Sequence, residues 1–397
     1  MSPLATQFIQ LSQLLRDTQQ YWRPMAFYQS HLAWMSEQPE LTERLFSLSS
    51  QQVAQLASDD AALSAFCQPY LSFASQLHSA SLLAPLPQQA LPPVNPRFYS
   101  GMPGRKWQQI QIFAASLSAS QRPIVEWCAG KSYLGFYLQQ QFGCRVDALE
   151  WDAALVQAAR ERAEQNKVAL FSHQVDVLSE QADQHLCREQ QLVALHACGE
   201  LHERMLTLAA ERQVEQIQLA PCCYHKRREQ DYQGLSQLAR TQGLTLNKQE
   251  LHGAVMETAT AGATVQRQRK QLQIMRLGFA ELLRECCGLE GHLPQPSLAN
   301  SWSKAEFQHV CQHLAELKHI SLPADIDWQH YLQRGEQRFA QVSALDLVRF
   351  LFRRPLEVWL ALDRALLLEE QGYAVELGSF CPAPVTPRNI LLKAVRH

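Results

Sequence analysis

The stretch that decides the fold runs from residue 123 to residue 135 and reads PIVEWCAGKSYLG. Its first part, IVEWC, is a short run of β-branched and apolar residues, which is typical of a strand buried on both faces. A turn with a single glycine, Gly130, follows at once, and after it the pattern becomes helical. A buried strand, a tight turn and a helix form the first half of a βαβ unit, so an α/β domain is expected here.

The same alternation continues from residue 123 to residue 219. Strand-like runs such as RVDALE, QLVALHACG and VEQIQLA alternate with helical segments such as DAALVQAARERAEQN and HERMLTLAAE. This pattern predicts successive βαβ units in a doubly wound parallel sheet, whose ligands bind beyond the carboxyl ends of the strands. Five clusters fall at those ends and are expected to line one crevice: Glu126 with Cys128-Ala129-Gly130, Glu150-Trp151, Asp176, His196-Ala197-Cys198-Gly199, and Pro221-Cys222-Cys223-Tyr224-His225.

The first turn argues against a ligand that carries phosphates. It has one glycine at the helix start and another, Gly135, inside the helix, so it lacks both the G-x-G-x-x-G pattern and a complete phosphate-binding loop. Gly130 would let the backbone approach a ligand closely, while Glu126 could accept a hydrogen bond from a cationic amine. Glu150 could accept hydrogen bonds from both ribose hydroxyls. The crevice therefore favours a nucleoside without phosphates, and S-adenosylmethionine fits it.

The predicted cofactor-binding set collects the residues at these strand ends, with Trp151 and Asp176 flanking an adenine ring. Its members are Glu126, Cys128, Ala129, Gly130, Lys131, Glu150, Trp151, Asp176, Val177, His196 and Cys198.

Composition is that of an ordinary globular protein: 397 residues, 46% hydrophobic, with a formal net charge of -2. That charge gives no bulk attraction to nucleic acid or to anionic lipid. The N-terminal stretch is amphipathic and no long run is free of charged or polar residues, so neither a signal peptide nor a membrane-spanning helix is expected. The eleven cysteines fit reduced thiols better than a disulfide framework, which favours a cytoplasmic location.

Three runs, VEWCAGKSYLG, LHACGELHERML and APCCYHK, resemble motifs of the methyltransferase-like (METTL-type) family. Those motifs read D/E-F-C-A-G-K-G, L-H-A-C-G and P-C-C-Y/H. The segment PLEVWLALDRALLLEEQGYAVELGSFCPAPVTPRNILLKA is similar to the family's closing segment, and a more distant likeness is to a eukaryotic transfer-RNA 2′-O-methyltransferase. Ser132 stands where the family often has a glycine, and Thr386 replaces the serine of S-P-R-N.

The resemblance implies a class I (Rossmann-like) methyltransferase fold, in which the mostly parallel sheet ends in an antiparallel strand. It also implies that the end of the chain returns to that sheet. One long helix is predicted to end at Gly372, followed by the strands YAVELGSF and NILLKAV. The predicted organisation is an all-helical N-terminal module (1–84), a proline-rich linker (85–104), the first part of the methyltransferase domain (105–225), a mainly helical insertion (226–345), and the closing helix and hairpin (346–397).

Methyl transfer from a sulfonium is an in-line displacement, so the protein mainly has to align the acceptor with the methyl group. If the acceptor is a hydroxyl, His196 or His225 could take its proton, and Tyr224 could stack on a planar acceptor or orient it. Cys222 and Cys223 are predicted to contact the acceptor, and the corner that contains Arg388 and Asn389 is predicted to abut their loop and help to place it.

The histidines and cysteines of these strand ends also include ligand types that suit zinc. No metal is expected, however, because their spacing matches no zinc finger and adjacent cysteines rarely both point at one ion.

The acceptor is the least constrained part of the prediction. RNA is favoured by the transfer-RNA methyltransferase likeness and by basic groups that could meet phosphates. These groups are Arg105-Lys106, Lys226-Arg227-Arg228, Arg267-Arg269-Lys270 and Arg353-Arg354. A protein or a small molecule remains an alternative acceptor, because this fold hosts all three kinds. A catalytically silent scaffold that only binds a partner is a further alternative.

Overall fold

The computed structural model describes residues 1–95, 99, 102–118, 121–256, 262–288 and 295–397. Parts of the predicted linker (96–98 and 100–101) and of the predicted insertion (257–261 and 289–294) lie outside these described residues. The chain divides into two compact units. One consists of Met1–Gln13, Ala80–Met256 and Pro355–His397, and the other consists of Leu14–Ser79 and Glu257–Arg354.

A seven-stranded sheet is the centre of the first unit. Its strands in chain order are β1 (Ile124–Trp127), β2 (Val146–Glu150), β3 (Leu170–Gln174), β4 (Gln191–Cys198), β5 (Gln216–Cys222), β8 (Tyr373–Ser379) and β9 (Ile390–Arg396). Between β5 and β8 the chain forms a separate two-stranded antiparallel ladder of β6 (Asp231–Tyr232) and β7 (Leu246–Asn247), which the sequence did not predict.

The spatial order of the large sheet is β3-β2-β1-β4-β5-β9-β8. Strands β1 to β5 pair in parallel, whereas β9 pairs antiparallel with both β5 and β8. The chain moves outward from β1 through β2 to β3 and then returns to the other side of β1 as β4. A crevice beyond the carboxyl ends of the strands forms at such a reversal. The predicted fold, a doubly wound, mostly parallel sheet with an antiparallel closing strand, is confirmed.

Helices cover both faces of this sheet because successive strand residues point to opposite sides. On one face, Ile124 packs with Ile110 and Phe113 in the first apolar cluster. On the other face, Val125 packs in a second cluster with residues such as Met205.

The helices in the described part of the chain are α1 (Pro3–Asp17), α2 (Gln19–Trp22), α3 (Ala33–Glu37), α4 (Pro39–Phe46), α5 (Ser50–Ser58), α6 (Asp60–Cys67), α7 (Ala74–Ala80), α8 (Gly104–Ala115), α9 (Tyr133–Phe142), α10 (Ala153–Asn166), α11 (Glu200–Glu211), α12 (Gln237–Gln242), α13 (Lys248–Gly253), α14 (Ala263–Cys287), α15 (Phe307–Leu317), α16 (Trp328–Phe350) and α17 (Arg353–Glu370), with short 3₁₀ helices at Glu180–His185 and Asn300–Lys304.

The single long helix predicted before Gly372 is wrong. The chain forms α16 and α17 instead, with a turn at residues 351–352 between them. Pro355 explains the break, because proline lacks the amide hydrogen that the interior of a helix needs but is tolerated in the first turn of a new helix. The strands predicted after Gly372 are confirmed as β8 and β9.

The proline-rich stretch joins the sheet as a strap. Leu86 donates its backbone N–H to the Ser379 carbonyl at 2.9 Å, and the Ser379 N–H donates to the Ala84 carbonyl at 3.0 Å. The end of β8 is therefore fixed by residues near the start of this stretch.

The second unit has an apolar core formed by α14, α15 and neighbouring residues. Phe279, Val310 and Leu314 are fully buried there. α14 and α16 pack closely at Gly335 of α16. A Cβ added there would lie only 2.5 Å from the carbonyl oxygen of Ile274 in α14. Among the described residues, every helix is too short or too polar to cross a bilayer.

Candidate active site

The turn after β1 has an unusual backbone. Cys128, Gly130 and Ser132 all have positive φ, at 56°, 59° and 51°, so every second residue of the turn lies in the left-handed region. At Gly130 an added Cβ would have no neighbour within 4 Å. The glycine therefore leaves open space beside the backbone, as a turn that receives a ligand requires.

The Glu150 carboxylate fixes this turn to the end of β2. Its Oε2 accepts the Gly130 N–H at 2.7 Å, while its Oε1 accepts the N–H groups of Trp151 and Asp152 at 3.0 and 3.1 Å. A carboxylate has about four acceptor positions, so one remains for a hydroxyl of a ligand. The neighbouring Trp151 side chain is 74% exposed and presents a free ring at the same edge.

Glu126 lies beneath the turn and is 4% exposed. Its Oε2 accepts hydrogen bonds from the Ser132 hydroxyl and, at 3.1 Å, from the Gly135 N–H. Burial raises the pKa of this carboxyl to about 7, although both hydrogen bonds act in the opposite direction. Gly135 is needed for this contact, because a Cβ there would lie 2.5 Å from the Glu126 Oε2.

Cys128 interacts with charged groups at the other predicted strand ends. Burial is the main cause that raises the pKa of its thiol, followed by the charges of Glu150, Cys198, Asp176 and Glu126. Other predicted cofactor residues differ in exposure: Asp176 and Lys131 are exposed, Ala129 is half-buried, and Val177 is 4% exposed within the apolar core.

His196 lies at an irregularity in β4, where the register with β5 shifts between Leu195 and Ala197. Its φ is 69°, and its Nε2 makes a 2.9 Å hydrogen bond with Gln109. Burial lowers the pKa of this imidazole to about 4, so it is neutral at pH 7. Gln109 also donates to the Val385 carbonyl at 2.9 Å. Nothing in the sequence indicated that Gln109 would hold His196 in place.

Three cysteine thiols lie together beyond His196. The Sγ atoms of Cys198 and Cys222 are 3.5 Å apart, and the Sγ of Cys223 is within 4.8 Å of both. Cys222 is buried, whereas Cys198 and Cys223 are half-buried. Hydrogen bonds from Cys198 and Cys222 lower the pKa of the Cys223 thiol.

Tyr224 is completely buried, and its hydroxyl has no hydrogen-bond partner among the described residues. The Arg364 guanidinium carbon lies 4.7 Å from the centre of its ring, and the His202 ring meets it edge-on at 5.5 Å. In this arrangement the ring offers no face to a planar acceptor, and the hydroxyl is buried as well.

Arg364 belongs to a buried polar network that the sequence analysis did not identify. Its guanidinium donates to His202 at 2.7 Å, to Tyr232 at 3.0 Å and to Glu203 at 2.9 Å. Asp363 accepts from the Tyr232 hydroxyl and from two backbone N–H groups of the following loop. The signal was present, since Asp363-Arg364 is the D-R pair of the closing motif.

His225 and the 388–389 corner complete the predicted acceptor side. The Nδ1 of His225 is buried without a hydrogen-bond partner in the described part of the chain, and its ring lies 4.7 Å from that of His252. Arg388 pairs with Glu357 at 3.1 Å and donates to the Val255 carbonyl. Its charge also acts on Tyr224 and His225, so the corner lies near their loop. Asn389 donates to the Cys381 carbonyl at 2.8 Å.

The four predicted basic groups differ in solvent exposure and in ion pairing. Arg227 and Arg353 have side chains only 7% exposed, and both pair with carboxylates. Lys270 lies over the Phe339 ring. Lys226 is exposed, and the Arg228 side chain is 78% exposed although it pairs with Glu200 at 3.8 Å; both residues directly follow the cysteine–histidine loop.

The residues at the crevice fit a nucleoside cofactor. Open space beside Gly130, the unused acceptor position of Glu150 and the free ring of Trp151 lie at neighbouring strand ends. Backbone and carboxylate groups there suit a neutral ribose better than a phosphate, because the Glu150 carboxylate would repel an anion.

Comparison with known proteins gives one match to a family. Residues 105–230 match the family described as a methyltransferase domain. No match was found among the curated proteins. The match agrees with the predicted S-adenosylmethionine cofactor.

Three solved structures that resemble parts of this chain are distant from it in sequence. TehB from Haemophilus influenzae is 13% identical, with a TM-score of 0.21, and the alignment covers 25% of this chain and 36% of that one. TrmK of M. capricolum, in complex with S-adenosyl-homocysteine, is 13% identical at a TM-score of 0.23, covering 28% of this chain and 50% of that one. A geranyl diphosphate methyltransferase in complex with SAM is 13% identical at a TM-score of 0.22, covering 34% and 61%. The alignments thus span from about a third to three fifths of those proteins.

The sequence match supports a methyltransferase domain at residues 105–230.

Proposed function

We propose that this protein is an S-adenosylmethionine-dependent methyltransferase that modifies RNA in the cytoplasm. The cofactor assignment rests on the contact between Gly130 and Glu150. There, backbone with open space beside it meets a carboxylate that has a free acceptor position, at the ends of two neighbouring strands. When bound, the cofactor would supply a methyl group on a sulfonium for in-line displacement.

Residues of the chain would bind the cofactor and position the acceptor. Glu150 would accept from the ribose, and Trp151 would cover the base. On the acceptor side, the His225 Nδ1 would accept the proton of a hydroxyl and the Tyr224 hydroxyl would orient the acceptor. Both atoms are buried, so the loop that carries them would have to open to admit the acceptor. His196 would act as a neutral hydrogen-bonding group, since its bond to Gln109 and its low pKa make it a weak base.

RNA is preferred as the acceptor because Lys226 and Arg228 extend into solvent directly beyond the candidate acceptor loop. Exposed cations at this place would meet phosphates of a polynucleotide whose reactive group enters the crevice.

The test is incubation of the protein with methyl-labelled cofactor and separated RNA, protein and metabolite fractions from a strain that lacks the gene. Label should appear in RNA, and the yield should fall as salt increases because phosphate contacts are screened. Label confined to protein or metabolites would overturn the RNA assignment. A protein that binds S-adenosylhomocysteine but labels no fraction would point to a silent scaffold.

A further inference from the structure

The three thiols at the ends of β4 and β5 have an arrangement that the proposed methyl transfer does not require. Cys198 and Cys222 sulfurs are 3.5 Å apart, and all three sulfurs lie within 4.8 Å of one another. All three cysteines are free, so the grouping is not the result of a disulfide bond.

Two local features bring these sulfurs together. The register shift in β4 between Leu195 and Ala197 places Cys198 directly opposite Cys222 of the neighbouring strand. Cys223 then takes a left-handed conformation with φ at 46°, which costs energy for a residue with a side chain. This conformation lets two adjacent cysteines direct their sulfurs to one point, which is what the sequence analysis considered improbable for such a pair.

We propose that Cys198, Cys222 and Cys223 bind one soft divalent cation, Zn²⁺, through three thiolates. Zinc binds sulfur at about 2.3 Å in tetrahedral geometry, which puts its sulfur ligands about 3.8 Å apart. The spacing of the Cys198 and Cys222 sulfurs is close to that value, so little movement is needed to admit an ion. Each thiol that becomes a ligand releases its proton to solvent.

Three protein ligands leave the fourth tetrahedral position open, which is typical of zinc sites that act on a substrate. Cys198 and Cys223 are half-buried, so an ion there can be reached from the crevice. β4, which ends at Cys198, pairs with β1, which leads into the candidate cofactor turn, so the thiol cluster and that turn follow neighbouring strands. An ion in this position would polarise an acceptor atom, a role that rests on the proposed function, whereas binding of the ion does not.

Cobalt provides the test, because Co²⁺ substitutes for Zn²⁺ and is coloured. The reduced full-length protein is stripped with a chelator and titrated with Co²⁺, while zinc content is measured separately by mass spectrometry. We expect one ion per chain, with thiolate-to-cobalt charge-transfer absorption and the strong visible bands of tetrahedral coordination. Added Zn²⁺ should remove both signals.

The variants are Cys198→Ser, Cys222→Ser and Cys223→Ser, and the matched control is Cys187→Ser, whose thiol is exposed and outside the cluster. Each of the three variants should lose the ion, and the control should keep it. Circular dichroism identifies a variant that fails to fold. If the buried Cys222 is needed for folding, Cys198→Ser and Cys223→Ser still test whether the cluster binds the ion.

Equal cobalt binding by wild type and by the three variants would mean an adventitious ion only and would overturn the proposal. A thiol titration can also show two fewer thiols in the absence of reductant. If the reduced protein then takes up no cobalt, the cluster forms a disulfide pair instead, and the proposal is overturned. A thermal shift by S-adenosylhomocysteine is measured in parallel. That shift can persist when zinc binding fails, and zinc binding can persist when the shift is absent, so the two proposals fail separately.

Discussion

The Gly130 N–H donates a 2.7 Å hydrogen bond to the Glu150 carboxylate, and this bond joins the first turn of the sheet to the end of the next strand. The two residues are 20 positions apart in sequence, yet both belong to the surface that would receive a nucleoside. Binding of the cofactor should therefore depend on both.

Gly130→Val should abolish the thermal shift given by S-adenosylhomocysteine. The branched side chain would fill the open space beside the turn, and valine also disfavours the positive φ of 59°. Gly143→Val is the matched control, since Gly143 has φ of 69° and equally open surroundings but lies between the end of α9 and the start of β2, at the opposite end of that strand from Glu150. The control should lose stability and keep the shift. Loss of the shift in both variants would mean that strain, and not a ligand site, explains the result.

Glu126 should make cofactor affinity depend on pH. Its pKa is about 7 in the free protein because the carboxyl is buried, so the group is mostly neutral below pH 7. If its carboxylate pairs with the cationic amine of the cofactor, only the ionised form binds well. Affinity should then rise about tenfold per pH unit up to about pH 7 and level off above it.

Calorimetric titrations with S-adenosylmethionine between pH 5.5 and pH 8 measure this dependence. Glu126→Gln should bind more weakly at pH 8 and show a flat profile. A wild-type profile as flat as that of the glutamine variant would show that the charge of Glu126 has no part in binding.

Ser132 should set the midpoint of that profile. Its hydroxyl donates to Glu126, and this bond lowers the pKa of the carboxyl. Ser132→Gly removes the bond, so the midpoint should move above pH 7. Ser132→Ala should move it equally, but it retains a side chain at a φ of 51°, which costs about 1 kcal/mol relative to glycine. Chemical denaturation should therefore find the glycine variant the more stable of the two. A midpoint that stays at its wild-type value in both variants would contradict the assigned hydrogen bond.

The sequence predicted the strand ends well because apolar runs of strand length and a single glycine turn are local features. The turn at Gly130 accordingly contacts Glu150, at the end of the neighbouring strand. What depends on tertiary contacts could not be predicted in this way. The register shift that aligns Cys198 with Cys222 arises from pairing between strands, and the burial of Tyr224 depends on Arg364, 140 residues later. Pro355, in the first turn of α17, indicated the start of a new helix, but the apolar periodicity on both sides of it favoured one continuous helix.

Arg388 should contribute to stability through its ion pair as well as to the acceptor site. It pairs with Glu357 at 3.1 Å, and the side chains are 12% and 4% exposed, so removal of the arginine takes a cationic partner away from a buried carboxylate. Arg388→Ala should lower the free energy of unfolding by about 2 kcal/mol, which urea denaturation measures. Glu357→Gln in the same chain should recover a part of that loss, because the buried charge that lost this partner is removed. Lys393→Ala is the control: its partner Glu376 is 65% exposed, so the pair is worth less than about 1 kcal/mol. If Arg388→Ala is as stable as the Lys393 control but transfers no methyl group, the arginine acts on the acceptor alone and its pairing with Glu357 contributes nothing to the fold.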